Sequence, residues 1–590
     1  MKKRTMAVLL CLSMLSMLFA ACGNDVASSA ESAGSTAEVS VTETSEAPQT
    51  SETETVAPDH AEVSASSVEE VVPGTEPQAQ FPNSDTADLK FSNVYELPLC
   101  EETETLTMMR SGLNLVGPLA NVGIESFDQM AYISELESRT NVHLDITELN
   151  YFTMQEQFQL SVAAEDLADF LCGLIYSKGD QSAVEDEVVL DLTDLLAENS
   201  PNYAYMIDSS ETHANEFRSD GMVLKYVSPY EQYVANQGLV IREDWLEQVG
   251  KDLPETYDQL TDVLKAFKST FQAETPIYMT SQCMITSLSN GYDVCKFAAD
   301  GGNETAMPYY VDEGVVKCTL NQENYREYLK MLAGWYQDGL IDKDFISVTY
   351  DPFDSYLADQ ITSDQMGVWC TSGEGIDTYT VPVRCLPSMT REEGGMDHIY
   401  DTSLTSDSFG DTYIAASCEN VELAMAWMDY WYSADGVLFA NYGMEDKDYT
   451  IGENGQPEFT DAIINNEYDV NVSNMMRLEC AYGVFSAPMV RYRTAEFNSD
   501  LGNEAWEVWS SKLDGAMTMP GYVTLNSEEN ETETSYSSDL LTYVEQVIPQ
   551  FIIGDKGLDS DWDTYVSELE GMGLNECVAV WQQAYDRTVQ

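Results

Sequence analysis

Short β-prone apolar runs alternate with segments of helical periodicity along the chain from about residue 93 onward. The runs at 105–109, 142–149 and 168–175 predict strands, and the last is almost continuously apolar. Between them, 127–139 and 158–164 carry apolar residues at helical spacing. This alternation predicts an α/β architecture with strands covered on both faces.

The same alternation continues in the second half of the chain. A β-prone run at 238–241 leads to Trp245, and Thr256-x-x-Gln259 is a capping box that predicts the start of a helix. Further helical patterns cover 325–336 and 421–432. Their aromatic stripes are more typical of a core than of a ligand site.

The first residues have the three parts of an export signal. Lys2, Lys3 and Arg4 precede an apolar run of about 14 residues, which is shorter than the roughly 20 residues that span a bilayer. The sequence Phe19-Ala20-Ala21-Cys22 resembles a bacterial lipobox, with Phe19 where Leu is usual. The resemblance implies cleavage before Cys22 and attachment of lipid to its sulfur. The alternative is an ordinary secretory signal with a chance cysteine.

A polar segment separates this signal from the apolar body. Residues 23–92 are rich in Ser, Thr, Glu and Ala, and contain 14 acidic residues against one lysine. Such a composition buries too little apolar surface to fold and repels itself. It predicts an extended, disordered tether, although a folded β module is the alternative.

Composition excludes several function classes. The 590 residues include 27 Lys and Arg, 102 Asp and Glu, and only four His, for a net charge of −75. So acidic a chain disfavours binding to nucleic acid, and the scarcity of histidine disfavours a multi-histidine metal site. Neither a phosphate-loop motif nor H-E-x-x-H occurs, and no C-x-x-C pair exists among the twelve cysteines. Whether the ten cysteines of the body form disulfides stays open. We expect no cofactor.

Several segments together resemble the extracellular solute-binding proteins, family 1, of bacterial ABC importers, in their long Gram-positive lipoprotein branch. The segments that carry the resemblance are LESRTNV at 136–142, IREDWL at 241–246, YREYLKMLAGWYQDGLID at 325–342, the loop at 441–456 and the closing helices at 551–586. Each motif is weak alone, but their order and spacing are fairly specific. Residues 280–315 and 375–410 match poorly.

The resemblance implies a type II, periplasmic-binding-protein-like α/β fold with two lobes joined by crossing strands, for which 238–241 and 366–369 are candidates. The implied division is as follows: 1–21 signal peptide, 22–95 tether, 96–238 first lobe, 239–366 second lobe, 367–415 return to the first lobe, and 416–590 remainder of the second lobe. Hinge closure on a ligand between the lobes is the expected working cycle.

Candidate ligand contacts follow from the need of a sugar site for aromatic faces and planar polar groups at the carboxyl ends of strands. They are Trp369, Tyr176, Tyr230, Asn114, Tyr442 and Glu445. Packing or a solvated surface is the alternative for each. Arg242 and Asp244 favour a helix cap or an ion pair instead. A basic pocket for an acidic sugar stays open, from Arg242, Arg384, Arg477, Arg491 and Arg493.

One segment near the C-terminus resembles a calcium-binding loop. Asp559, Asp561, Asp563 and Glu570 match EF-hand positions 1, 3, 5 and 12, but Thr564 replaces the glycine of position 6. The segment also has acidic residues where a helix begins, which favours a helix start and predicts no metal site.

The sequence therefore predicts a lipid-anchored, monomeric, non-enzymatic substrate-binding protein on the outer face of the cell membrane. We expect it to capture a carbohydrate, in particular an oligosaccharide, in a cleft between the lobes and to deliver it to the permease subunits of an ABC importer. The net charge of −65 beyond the tether favours neutral or cationic ligands. A secreted glycoside hydrolase and a peptide-binding surface lipoprotein are the alternatives, and acidic pairs are too common here to identify a hydrolase.

Overall fold

Two units make up the computed structural model, residues 1–59 and residues 60–590. The structure describes residues 89–589 except 112–122, 125, 151–152, 211–213, 215–216, 220, 228–236, 280–287, 296–306, 348–354, 377, 400–410, 454, 467, 469, 471, 481–484, 489–498 and 521–522. The predicted signal, Cys22 and nearly all of the predicted tether lie outside the described residues, so those predictions stand as they were made.

Strands and helices alternate through the described part of the chain, as the apolar pattern predicts. The strands are β1 Glu104–Ser111, β2 Val142–Leu149, β3 Phe170–Cys172, β4 Lys225–Tyr226, β5 Gln237–Arg242, β6 Tyr309–Asp312, β7 Val315–Cys318, β8 Val368–Ser372, β9 Val383–Cys385, β10 Thr412–Ile414, β11 Tyr449–Ile451 and β12 Pro457–Phe459. The helices are α1 Ala131–Thr140, α2 Met154–Ala164, α3 Asp180–Glu185, α4 Leu196–Asn199, α5 Pro201–Ile207, α6 Glu243–Val249, α7 Tyr257–Phe271, α8 Glu323–Gln337, α9 Ser355–Thr362, α10 Gly373–Ile376, α11 Val421–Tyr430, α12 Ala434–Tyr442, α13 Asp461–Ile464, α14 Val472–Glu479, α15 Asp500–Ser510, α16 Ser527–Ile553, α17 Trp562–Gly571 and α18 Leu574–Val589.

The sheet of the first lobe has the strand order β2-β1-β3-β10-β4. β1 pairs in parallel with β2 over its whole length and with β3 from Met108 to Arg110, whereas β10 is antiparallel to both β3 and β4. Apolar side chains of these strands enter two separate clusters, with Met108 in one and Met109 in the other. The sheet is therefore covered on both faces, which explains why its strands read as nearly continuous apolar runs.

Residues beyond β10 also belong to the first lobe, which corrects the predicted division. α11 and α12 place Trp427, Trp431 and Phe439 in the same apolar cluster as β1 and β3. Trp427 packs against Phe170 of β3 with ring centroids 5.1 Å apart and ring planes inclined by 31°. The prediction that 416–590 continues the second lobe is therefore wrong for α11 and α12. The aromatic stripe of α11 lies in the core, as predicted.

The second lobe has a sheet in the order β8-β5-β9, whose strands run antiparallel to one another. Val368, Leu386 and Met389 share a cluster with α7, α8 and the C-terminal helices. The predicted return to the first lobe at 367 is therefore wrong, because the chain re-enters that lobe only by β10. Among the described residues, Val227 and Phe485 lie in the apolar cluster of the first lobe, whereas Leu239 and Met389 lie in that of the second lobe.

Local sequence explains most element ends. The Thr256 hydroxyl accepts the Gln259 amide at 3.3 Å and starts α7, as its capping box predicts. α16 begins with a capping box of Asn526 and Glu529 and ends at Gly554, whose φ of +89° suits glycine. The strand predicted over 168–175 is shorter, because only Phe170–Cys172 pairs with neighbours. Within the described part of the chain we find no helix with the length and apolarity needed to span a membrane.

Candidate functional site

Polar side chains gather at the edge of the first-lobe sheet where β3 ends. Gly173 follows β3 and donates its amide to the Asp411 carbonyl at 2.7 Å. The antiparallel register then sets Tyr413 of β10 beside Lys225 of β4. In open α/β sheets such an edge is the usual position for a ligand.

An ion pair and a tyrosine form the centre of this edge. The Lys225 ammonium lies 2.7 Å from Asp411 Oδ2, and the Tyr413 hydroxyl donates to Asp180 Oδ1 at 3.1 Å. The Lys225 nitrogen also lies 5.7 Å from the Tyr413 ring centroid. Side chains of Lys225 and Asp411 are 34% and 18% exposed, so ligand groups could reach them.

Burial and opposite charge act against each other in this pair. Burial lowers the pKa of Lys225, but Asp411, Tyr413 and Asp180 together raise it well above its usual value. Burial raises the pKa of Asp411, and Lys225 opposes that shift. The pair therefore presents a fixed dipole with spare donors and acceptors, which suits hydroxyl groups better than a free anion.

Tyr176, a predicted ligand contact, lies in the loop after β3 and near this edge. Its hydroxyl donates to Asp186 Oδ2 at 2.7 Å, and Lys178 lies 2.6 Å from the same oxygen. Burial and the hydrogen bond to Asp186 raise the pKa of Tyr176. The ring is half-buried, so one part of it is open to a ligand.

The short helix α3 joins this edge to the second lobe. Its first residue, Asp180, accepts from Tyr413, while Ser182 Oγ lies 2.9 Å from Ser527 Oγ at the start of α16. The Ser219 hydroxyl makes a similar contact of 3.0 Å with Thr524. These contacts between the lobes use small neutral hydroxyls, whose hydrogen bonds exchange readily with water.

Other predicted contacts lie in different surroundings. Trp369 is 0% exposed inside the second lobe and meets Tyr379 edge-on at 5.1 Å. Tyr442 is buried against Tyr449 in the first lobe, and Glu445 is exposed nearby. None of these three residues is among the contacts described for Tyr176. Asn114 and Tyr230 lie outside the described residues.

The arginines proposed for a basic pocket do not converge where the structure describes them. Arg242 is 5% exposed and bound to Asp244 at 2.7 Å and Asp364 at 2.9 Å, so the predicted ion pair is confirmed. Arg384 lies on the paired strand β9, whereas Arg477 lies on α14, which packs against α1 of the first lobe. Arg491 and Arg493 lie outside the described residues.

The EF-hand-like segment is organised as a helix start. Asp561 directly precedes α17 and accepts the Gly557 amide at 2.8 Å, while Asp559 pairs with Arg326 at 3.1 Å. Residues the structure describes contain no group of three or more His, Cys, Asp or Glu side chains placed to hold a metal.

Sequence reasoning missed Asp180, Lys225, Asp411 and Tyr413. One signal was present: Lys225 is the charged residue inside the otherwise apolar run Val223-Leu224-Lys225-Tyr226-Val227. Its partner Asp411 is far away along the chain, so no local pattern could pair them.

Two lobes, each with its own sheet and core, and a polar edge on the sheet of the first lobe define a solute-binding-protein fold. The predicted two-lobe α/β fold is thereby confirmed, as is the resemblance to the solute-binding proteins of ABC importers. No family model matches the chain.

Among known proteins, the chain is similar to the fructooligosaccharide ABC transporter substrate-binding protein FusA of Streptococcus pneumoniae. They are 25% identical over 490 residues, which is 77% of this chain and 86% of FusA. The chain is also 33% identical over 119 residues to the lipoprotein LipO of Bacillus subtilis, 18% of this chain and 22% of LipO. A solved structure of an HMO-binding, ABC-transporter-associated solute-binding protein from Bifidobacterium longum infantis matches with a TM-score of 0.65 and 20% identity, covering 82% of this chain and 99% of that chain.

Proposed function

We propose that this protein is the substrate-binding component of an ABC importer and captures a carbohydrate, most simply an oligosaccharide, between its lobes. It would be lipid-anchored through Cys22 on the outer face of the membrane, act as a monomer and hand its ligand to permease subunits. It would not alter the ligand. The observation that carries the proposal is the similarity to FusA along 86% of that protein, which is a transporter component that binds fructooligosaccharide.

The site chemistry supports a sugar ligand. The half-buried Tyr176 offers aromatic surface, and the Lys225–Asp411 pair offers donors and acceptors without an unpaired charge. A ligand that contacts both lobes would shift the balance between open and closed forms by its preference for the closed form. Trp369, Tyr230, Asn114, Tyr442 and Glu445 remain proposed contacts in the closed form. LipO being a lipoprotein supports the anchor on Cys22.

Calorimetric titration of the full chain tests the proposal with kestose, lacto-N-tetraose and a set of short peptides. We expect at least one oligosaccharide to bind and to stabilise the fold by about 2.7 kcal/mol at a hundredfold excess over Kd. Tyr176→Ala should weaken that binding about tenfold, because it removes an aromatic contact. Tyr468→Ala is the matched control, since Tyr468 is an exposed tyrosine, 45% accessible, on another part of the first lobe.

Two results would contradict the proposal. Stabilisation by a peptide without stabilisation by any sugar would favour the peptide-binding alternative. Chromatography that shows incubated glycans emerging shortened would favour the glycoside hydrolase.

A further inference from the structure

The second lobe contains a cavity of about 380 Å³ that is separate from the edge around Tyr176. Two segments form its walls: the turn at Gly291 and Asp293, and the loop from Thr390 to His398. The volume falls within the roughly 300–1,000 Å³ of small-molecule sites. Arg391, Glu392 and Met396 also line it.

The floor of the cavity is held in place by the surrounding fold. A Cβ on Gly291 would lie 1.9 Å from the Met389 carbonyl oxygen, so only glycine lets the two walls meet this closely. The Tyr257 amide at the start of α7 donates to the Thr390 carbonyl at 3.2 Å, and the Tyr257 hydroxyl donates to Leu288. Both segments are thus attached to one helix end, which preorganises the cavity.

Arg391 and His398, the basic residues at the cavity, each have a carboxylate partner. Arg391 Nη2 lies 3.1 Å from Asp293 Oδ2, and His398 Nδ1 lies 3.0 Å from both carboxylate oxygens of Asp514. A free anion at the cavity would meet the nearby carboxylates of Asp293, Asp514 and Glu392, which repel it. A guanidinium has five N–H donors and a carboxylate about four acceptor positions, so each pair keeps unused capacity. Vicinal hydroxyls, which both donate and accept, match that capacity.

The residues that line this cavity all belong to the second lobe. Asp397 donates its amide to Lys512, and Met517 donates its amide to the His398 carbonyl, so the far end of the loop is tied to the same lobe. A site built by one lobe exists whether the lobes are open or closed. Its occupancy should therefore not depend on the hinge, in contrast to a ligand held between the lobes.

From this geometry we propose that the cavity is a second carbohydrate site, which binds a neutral sugar unit through the Arg391–Asp293 and His398–Asp514 pairs. The ligand class rests on the proposed function, while the position and the independence of lobe closure rest on the cavity. This site would hold one end of a glycan at the protein surface while the interlobe edge holds another unit or another molecule.

His398 provides a local readout, because the chain has only four histidines. Proton NMR of the full chain follows the imidazole signals, and His398→Gln assigns the one from this cavity. Probes are kestose and lacto-N-tetraose as neutral sugars, digalacturonate as a carboxylated sugar, and spermidine as an amine. His143, in the first lobe and paired with Glu137 at 2.6 Å, serves as an internal control.

We expect a neutral sugar to shift the His398 signal and the shift to persist in Tyr176→Ala. Arg391→Ala should raise the half-saturating concentration for that shift about tenfold, through loss of charged hydrogen bonds. Arg384→Ala, an exposed arginine of the same lobe near Glu243, should leave it unchanged.

Several results would overturn the inference. They are a neutral sugar that stabilises the chain but leaves His398 unmoved, a shift that disappears in Tyr176→Ala, and a shift caused only by digalacturonate or spermidine. If no neutral sugar binds the chain at all, the proposed function fails together with this inference, and calorimetry distinguishes that case from the others.

Discussion

Asp429 of the first lobe and Asp397 of the second lobe are both 0% exposed, yet the two lobes surround them differently. Asp429 accepts the amides of Asn202 and Tyr203 at 3.2 and 2.8 Å, and the Asn202 side chain at 2.9 Å. Neither carboxylate oxygen of Asp397 accepts a hydrogen bond from the described residues, although Ser388 and Lys512 lie near enough to favour its ionised form. Burial raises the pKa of each to about 7.

The difference shows two uses of a buried acid. Asp429 lies on α11 and satisfies amides in the first turn of α5, so it joins two helices of the first-lobe core. Asp397 lies between Met396 and His398 of the cavity loop, where burial disfavours its ionised form and Ser388 and Lys512 offset this only in part. We therefore expect the first lobe to depend on its aspartate and the second lobe to tolerate or gain from its replacement.

The largest effect should come from Asp429→Ala. The change leaves buried amides of α5 without acceptors, and we expect the free energy of unfolding to fall by about 3 kcal/mol. Urea unfolding followed by circular dichroism measures this. Glu445→Ala, an exposed acid of the same lobe, is the control and should change stability little. An equally small effect of Asp429→Ala would end the contrast between the lobes.

A smaller effect, with a characteristic pH dependence, should follow from Asp397→Asn. The pKa of Asp397 is raised from an ordinary value of 3.8 to about 7, so the folded protein binds this proton more tightly than the unfolded chain. That contribution to stability is fully present below pH 3.8 and is lost progressively as pH rises to about 7. We expect Asp397→Asn to be about 2 kcal/mol more stable than the natural chain at pH 8, with a clearly smaller difference at pH 5.

Urea unfolding at the two pH values checks this prediction, with Asp514→Asn as a control for the general charge of the loop. A stability difference that is the same at pH 5 and pH 8 would show that Asp397 is not the titrating group.

The smallest effect concerns the contact that joins the lobes. Ser182→Ala removes one neutral hydrogen bond to Ser527, so we expect the free energy of unfolding to change by about 1 kcal/mol or less. The double variant Ser182→Cys with Ser527→Cys should form a disulfide under mild oxidation, seen as a shift in non-reducing electrophoresis. Failure to cross-link would show that α3 and α16 do not meet in solution. The Ser182–Ser527 contact would then not join the two lobes.

Local periodicity was enough to predict much of the fold. The capping box at Thr256, the helical stripe of α8 and the strand β2 appear where the sequence places them. These features depend on neighbours within a few residues, so the sequence displays them directly. The helix predicted over 127–139 differs in one respect, because Met130 adopts an extended backbone between a short 3₁₀ turn and α1.

Of the candidate site, the sequence indicated Tyr176 because it follows a predicted strand, and that rule needs no knowledge of distant segments. Trp369 follows a similar rule, but the packing of Tyr379 against it decides that it is buried in this structure. Exposure depends on which elements cover a strand, and a single strand does not contain that information.

The sequence by itself determined the type of most elements, the acidic surface and the resemblance to solute-binding proteins. The tertiary structure alone decided that α11 and α12 join the first lobe, that Lys225 meets Asp411, and that Asp293 and Arg391 close one wall of a cavity. Those contacts join residues about 100 to 300 positions apart. Their formation depends on the burial of surfaces that exist only after the strands and helices have packed, which no local pattern can express.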